Sequence, residues 1–147
     1  MPMIDVYATA GTFPDKHQLA ADLASAVMTI EQVPDIPMFR QNTAAFIHDL
    51  PVGSLSNVDG DDNYVRIQVL TNSGALDRDK QLAVVEQLTN IAANAAGDPV
   101  VARRTWVLLT HRSARRRMGP GRSRQHQRRT CGLARAQIAE LSRKPEE

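Results

Sequence analysis

The chain has 147 residues, which is enough for one domain with its own hydrophobic core. No apolar run approaches the roughly 20 residues that a membrane-spanning helix needs, and no signal-peptide pattern opens the chain. Its one cysteine, Cys131, excludes an intramolecular disulfide and a cysteine-rich metal site. These features predict a cytoplasmic protein that does not insert into a membrane.

The formal net charge of +2 conceals two regions of opposite sign. Residues 1–110 carry 7 Lys or Arg against 13 Asp or Glu, a net charge of −6. Residues 111–147 carry 11 against 3, a net charge of +8. The asymmetry divides the chain into a folded domain, 1–110, and a basic tail of different character, 111–147.

The first half of the domain predicts a strand, a helix and a second strand. Residues 2–8 alternate between apolar and polar as a half-buried strand does. Residues 16–32 carry apolar side chains at helical spacing, and a proline-containing segment, 33–37, ends that helix. Residues 42–48 form a mostly apolar strand. The segment 51–62 is rich in Gly, Ser, Asn and Asp and predicts a loop.

The same pattern then begins again, which indicates an internal repeat. Residues 64–70 predict a strand, 77–96 a helix and 105–110 a final strand. Gln18-Leu19-Ala20 matches Gln81-Leu82-Ala83, at an offset of 63 residues. Gly11 and Gly74 occupy equivalent turns. We therefore assign repeat 1 to residues 2–62 and repeat 2 to residues 63–110.

The repeat predicts an α/β (α+β) fold. A helical crossover joins parallel strands and does so right-handedly, so each repeat forms a β-α-β unit. Two units give a four-stranded, mostly parallel sheet with two helices on one face. The other face of the sheet still carries apolar residues, and identical sheets in a closed ring are the simplest cover for it.

Pro2 is a candidate catalytic residue. Initiator methionine is normally removed before a small residue, and removal of Met1 leaves a free secondary amine at the tip of the first strand. An ordinary α-amino group has a pKa of about 7.7–8.0, and burial or a nearby cation lowers that value towards working pH. Such a group suits general acid–base catalysis. From these two residues alone, a chain that merely begins with Met-Pro is the other interpretation.

Pro2-Met3-Ile4 on a strand, together with the β-α-β unit and its fused repeat, resembles the tautomerase superfamily over residues 2–110. The likeness is to the 4-oxalocrotonate tautomerase-like members in which two units make one subunit of a homotrimer. It implies a tautomerase/MIF-like fold and a cofactor-independent isomerase that uses no metal. It also implies that the Pro2 amine moves protons on a small 2-keto or unsaturated carboxylic acid. Hydratase, dehalogenase and decarboxylase activities of the same superfamily are the alternatives.

The chain departs from the family at several arginine positions. Thr12 and Ala75 stand where the family often carries an arginine in the turn after a strand. The dehalogenase-type members carry a histidine late in the first helix and an arginine pair after the third strand. Here those stretches read Val27-Met28 and, at 71–75, Thr-Asn-Ser-Gly-Ala. Dehalogenation is therefore the alternative that fits least.

Three other arginines are candidates for binding the substrate carboxylate. Arg40 precedes the second strand, and Arg103 and Arg104 precede the last one. A guanidinium near the amine would bind a carboxylate through two hydrogen bonds and also depress the amine's pKa. The alternative for Arg103 and Arg104 is a solvated helix–strand connection.

The basic tail allows two interpretations. An arginine-rich arm binds nucleic acid by neutralising phosphates, although no aromatic residue follows Trp106 to stack on bases. A non-catalytic oligomer with a nucleic-acid-binding tail is thus an alternative from another functional class. We favour a second explanation, in which a pair of compensating frame changes spans residues 111–132. One reverse translation of this stretch reads, in the neighbouring frame, as a glycine-rich hairpin and helix, and it joins smoothly to a predicted helix at 133–143. We therefore expect no nucleic-acid partner, and sequencing the DNA across codons 108–134 tests the idea.

Overall fold

The computed structural model describes residues 2–112, and it forms one sheet with helices between the strands. The predicted helix at 133–143 and the tail from residue 113 onward lie outside the described residues. In chain order the elements are β1 (Met3–Thr9), α1 (Lys16–Glu31), α2 (Pro37–Arg40), β2 (Ala44–Leu50), β3 (Val65–Asn72), α3 (Arg78–Ala96), a 3₁₀ helix (Pro99–Arg104) and β4 (Thr105–Arg112).

The four strands lie in the order β2-β1-β3-β4. Pairing is parallel within each unit, β1 with β2 and β3 with β4, and antiparallel between the units, β1 with β3. Helices α1 and α3 pack side by side on one face of the sheet. The predicted fold of two β-α-β units is confirmed. The sheet is mixed because the second unit enters it in the direction opposite to the first.

The core lies between the sheet and the two long helices. Alternate residues of β1 and β3 point towards the helices, as the period of two along a strand requires. A fully buried Val, Leu or Ile side chain contributes roughly 1.5–3 kcal/mol, so this layer supplies most of the stability. The wholly buried core residues of the strands and helices include Ile4, Val6, Val65, Ile67, Val69, Leu23, Val27, Val84, Leu88 and Ala92.

Aspartates begin both long helices. The Asp15 carboxylate accepts a hydrogen bond from the Gln18 backbone N–H, and the Asp77 carboxylate accepts one from the Lys80 backbone N–H, each at 2.9 Å. A cap of this kind contributes about 1 kcal/mol. Gly97, with a φ of +67°, ends α3 in the left-handed conformation that glycine adopts most readily. The predicted helix boundaries agree with these ends to within one residue.

The two matching sequence stretches are not in equivalent positions of their helices. Leu19 is the fourth residue after its cap, Asp15, whereas Leu82 is the fifth after Asp77. One position is a rotation of about 100° around a helix. Leu19 is consequently 1% exposed, whereas Leu82 is 47% exposed. The first buried residue of α3 is Val84, two residues after Leu82.

The second face of the sheet carries no helix in the described part of the chain. It presents three large apolar side chains: Met3 is 42% exposed, Phe46 48% and Trp106 43%. We call this surface the open sheet face. Within residues 2–112, no helix is long and apolar enough to cross a membrane.

Candidate active site

Pro2 is buried at the end of the sheet where β1 begins, between two buried threonines. Met3 pairs with Ala44 on β2 and with Leu70 on β3. The preceding residue, Pro2, therefore lies between Thr43 and Thr71. These are the two buried polar side chains among residues 2–111, with 9% and 1% exposure. The start of β1 is thus enclosed, and its immediate surroundings are polar.

His111 extends this arrangement to the fourth strand. Thr71 pairs with His111 in the β3–β4 register, and Thr71 Oγ1 lies 3.3 Å from His111 Nδ1. Because strand side chains alternate, Thr43, Pro2, Thr71 and His111 all point to the helix side of the sheet. We call these four residues the polar row. Sequence reasoning placed His111 in the tail, whereas β4 continues through Arg112.

The signal for His111 was present in the sequence. Val107 and Leu109 are the buried residues of β4, and His111 is the next residue with the same parity. The period of two therefore extended past residue 110, where the change in composition suggested a boundary.

A cleft opens between α1 and the short helix α2, and Pro2 itself is not among the residues that line it. Its volume is about 240 Å³, below the usual range for drug-sized ligands. Thr43 belongs both to the cleft and to the polar row, so the cleft adjoins the start of β1. The residues that line it are Ala21, Ala24, Ser25, Met28, Arg40 and Thr43.

Arg40 stands at this cleft and is paired with an acid. Its Nη1 donates to Asp35 Oδ1 at 2.8 Å, and the two side chains are 64% and 72% exposed. The hydrogen bond to Asp35, and then its negative charge, raise the pKa of Arg40 above the ordinary value. Arg40 is therefore permanently cationic, and in so exposed a pair a carboxylate ligand can exchange with Asp35.

Within the same chain, Arg103 and Arg104 lie at the opposite end of the sheet, where β1 finishes. They end the 3₁₀ helix that precedes β4, and β4 runs antiparallel to β1. The 7 residues of β1 span about 23 Å, and this is the distance between the two ends of the sheet. Within one chain, Arg40 thus lies in the segment before β2, at the same end of the sheet as Pro2, whereas Arg103 and Arg104 lie at the opposite end.

Arg104 holds the loop that joins the two units. Its Nη1 donates to Asn63 Oδ1 at 2.6 Å and to Asp61 Oδ2 at 3.4 Å. Its guanidinium also lies 5.3 Å from the centre of the Tyr64 ring. These contacts fasten the loop to the start of β4, whereas Arg103 is exposed.

A polar cluster occupies part of the open sheet face. His48 Nε2 lies 2.8 Å from Asp5 Oδ1, and the His48 ring stacks on Tyr7 with centroids 4.4 Å apart. The Arg66 guanidinium lies 4.8 Å from the centre of the Tyr7 ring. This cluster faces away from the polar row. Among the described residues, no three His, Cys, Asp or Glu side chains come together as metal ligands would.

No protein-family model and no curated protein matches the sequence of this chain. Solved structures do match its fold. One is Pt0534 inactivated by 2-oxo-3-pentynoate, at 19% identity and a TM-score of 0.66, covering 81% of this chain and 93% of that one. A fused 4-OT, solved as a symmetric trimer, matches at 17% identity and a TM-score of 0.63, over 76% of this chain and 85% of that one.

A third match is N1, a member of the cis-3-chloroacrylic acid dehalogenase family. It is 18% identical, with a TM-score of 0.60, and the alignment covers 97% of this chain and 92% of that one. All three proteins are members of the tautomerase superfamily. With two β-α-β units in one sheet and a proline at the tip of its first strand, the chain has the tautomerase-superfamily fold that its sequence resembles.

Proposed function

We propose that this protein is a cofactor-independent tautomerase in which the Pro2 amine is the general base and general acid. Its substrate is a small 2-keto or unsaturated carboxylic acid. The observation that carries the proposal is the burial of Pro2 at the start of β1, next to Thr43 on β2, which lines a cleft together with Arg40.

The reaction needs one group that transfers a proton and one group that binds the substrate carboxylate. After removal of Met1, the neutral amine takes a proton from the enol oxygen or from the carbon next to the carbonyl. The resulting ammonium returns that proton to another carbon of the conjugated system, so that atoms and charge balance over the cycle. Burial disfavours the charged amine, which keeps Pro2 neutral and able to accept a proton before the substrate arrives. Arg40 holds the carboxylate through paired hydrogen bonds.

The proposed assembly is a homotrimer whose subunits cover each other's open sheet face. Exposed Met3, Phe46 and Trp106 support an interface there, and the fused 4-OT structure described above is a trimer. In such a ring, Arg103 and Arg104 reach a Pro2 site only from a neighbouring copy. Their proposed carboxylate-binding role therefore depends on assembly, whereas the role of Arg40 does not.

Mass analysis of the N-terminus and a Pro2→Ala variant test the proposal together. We expect the purified protein to lack Met1 and to be modified once, at Pro2, by 2-oxo-3-pentynoate. We expect Pro2→Ala to lose most turnover of 2-hydroxymuconate or phenylenolpyruvate while keeping its circular dichroism spectrum. A retained Met1, or equal turnover by the variant, would overturn the proposal.

The same assays separate tautomerisation from the other activities of the superfamily. Turnover of acetylenic acids would indicate a hydratase, and turnover of malonate semialdehyde a decarboxylase. Halide release from a haloacrylate would indicate a dehalogenase. Each of these reactions would also require Pro2, so the variant distinguishes them from background hydrolysis.

A further inference from the structure

We infer that the backbone carbonyl of Asn42 accepts one N–H of the Pro2 amine and so directs the lone pair of the nitrogen to the place that Met1 occupied. Asn42 is thus a positioning residue. The inference rests on the proposed function of Pro2, because it requires the free amine that removal of Met1 leaves. It names the group that holds this amine and the side from which a substrate reaches it.

The strand register gives the direction of the Pro2 nitrogen. Just after β1, the Ala10 N–H donates to the Leu50 carbonyl of β2 at 2.9 Å. The parallel register of β1 with β2 runs without interruption from Met3–Ala44 to Thr9–Leu50. Along such a pair the hydrogen bonds are evenly spaced, and every second residue of one strand donates to the other. Eight residues before Ala10 and Leu50, the Pro2 nitrogen therefore faces the Asn42 carbonyl.

The pyrrolidine ring fixes where the remaining positions of this nitrogen point, because ring closure prevents rotation about the N–Cα bond. A free proline nitrogen has two such positions. One lies on the side of the residue's own carbonyl, and the other lies in the direction of the preceding residue. The N–H and C=O groups of one strand residue point to the same neighbouring strand, so the first position faces Asn42. With an N–H in that position, the lone pair of the neutral amine takes the direction in which Met1 was attached.

Two hydrogen bonds fix Asn42 to the end of α2. Its backbone N–H donates to the Phe39 carbonyl at 3.2 Å, and its side-chain Nδ2 donates to the Met38 carbonyl at 2.7 Å. Within the described residues, no hydrogen bond ends on the Asn42 carbonyl itself, so this oxygen is available to the amine. Arg40 is the last residue of the same short helix. One helix therefore holds both the acceptor for the amine and the arginine that we propose binds the carboxylate.

This contact has two consequences for proton transfer. The neutral amine offers its lone pair beyond the first residue of β1, and the substrate approaches from that side. The protonated amine has two N–H groups, of which the Asn42 carbonyl retains one and the substrate receives the other. Because hydrogen bonding to the charged form favours it, the carbonyl also raises the pKa of the amine and opposes the effect of burial.

Isotope labelling of the wild-type protein tests the contact without a substrate. Asn-Thr occurs once in the chain, at 42–43, so carbonyl-¹³C asparagine combined with ¹⁵N threonine selects the Asn42 carbonyl. We expect its ¹³C chemical shift to titrate with the same midpoint as the ¹⁵N shift of the Pro2 amine. Phe-Ile also occurs once, at 46–47, and the Phe46 carbonyl is an acceptor of the same ladder. As the control, it should not follow the midpoint of the amine.

Replacement of single backbone amides by esters tests the cause of the amine's pKa. An ester between Asn42 and Thr43 keeps both side chains and makes the Asn42 carbonyl a weaker acceptor. The Thr43 N–H that it removes points to the free edge of β2 and donates no ladder bond. We expect the midpoint of the amine, and the rising limb of kcat/KM with pH, to fall by about half a pH unit. An ester between Phe46 and Ile47 weakens another bond of the same ladder and should leave both midpoints unchanged.

The outcomes are separable from those of the proposed function. An Asn42 carbonyl that does not follow the amine, or equal midpoints in the two ester proteins, would overturn the inference while leaving Pro2 catalysis intact. The expected titration in a protein that turns over none of the tested acids would support the contact and count against the proposed function. Should the ester protein fail to fold, the labelled wild-type protein decides the question, because its titration needs no variant.

Discussion

Asp35 Oδ1 lies 2.8 Å from Arg40 Nη1, so an acid of the chain itself is paired with the arginine that lines the cleft. In the proposed role of Arg40, a substrate carboxylate displaces Asp35 from part of the guanidinium. The pair is mostly exposed, and exposed ion pairs are worth about 0.2–1 kcal/mol. On that proposal, we expect Asp35 to weaken substrate binding without preventing it.

Replacement of Asp35 by Asn is expected to tighten substrate binding. The amide no longer competes as an anion, so KM should fall by up to about fivefold, the equivalent of one exposed ion pair, with kcat unchanged. Steady-state kinetics at low ionic strength measure the effect. Asp49→Asn is the control, because Asp49 pairs with Lys16 at the other end of β2. A higher KM in Asp35→Asn would show that Asp35 orients Arg40 and does not compete for it.

Arg104 is expected to contribute to stability through the loop that it holds. Arg104→Ala removes charged hydrogen bonds to Asn63 and Asp61, and we expect a loss of about 1–3 kcal/mol in the free energy of unfolding. Urea denaturation measures the loss. Arg103→Ala should change stability by less than about 0.5 kcal/mol, as exposed positions usually do.

The same two variants test whether either arginine binds substrate across a subunit boundary. A rise in KM in assembled Arg103→Ala or Arg104→Ala protein, at constant oligomeric mass, would support that role. Unchanged KM in both variants would leave Arg40 as the carboxylate-binding residue of the proposal.

The two leucines of the repeated Gln-Leu-Ala stretch should behave differently. Leu19→Ala empties a buried position and is expected to cost about 2–5 kcal/mol of stability. Leu82→Ala removes a half-exposed side chain and should cost less than about 1 kcal/mol. Thermal and urea denaturation of both variants measure the difference. Equal losses would contradict the helix rotation that separates them.

Charge on the open sheet face should disrupt assembly. Trp106→Arg introduces a cation opposite Arg66 in the β3–β4 register, and Phe46→Asp introduces an anion opposite Asp5 in the β1–β2 register. Like charges placed directly opposite each other are destabilising, and burying them between copies costs more. Sedimentation should show a shift towards the mass of a single chain. Val58→Asp, on the exposed loop, is the control and should leave the mass unchanged.

The order and type of the main elements followed from hydrophobic periodicity, because each strand and helix has one buried face. The short helix α2 did not, since Pro34 and Pro37 suggested only a stop. Pro37 instead takes the first helical position, where its missing N–H costs nothing. The exposure of Leu82 was equally hidden, because the rotation of the helix depends on which of two nearby aspartates is the cap.

Pro2 became a candidate through the chemistry of a free N-terminal proline together with the repeat and the family resemblance, whereas its neighbours were not identified. Thr43, Thr71 and His111 come from three strands that are far apart in sequence, and only the register aligns them. Arg40 was predicted near the site and lies at the adjoining cleft. Arg103 and Arg104 were predicted because they precede the second strand of their repeat, as Arg40 does. Since β1 and β3 are antiparallel, that position in repeat 2 lies at the opposite end of the sheet from Pro2.

The antiparallel pairing of β1 with β3 has a consequence for how the chain can be divided at the level of the gene. The two halves meet through strand pairing and helix packing, and the covalent link between them is the loop after Leu50. Scission of that loop would leave two pieces, each with only half of a shared interior, that need each other to fold. Fragment complementation from two separate genes is therefore open to this architecture, and so is reconnection of the pieces in the reverse order.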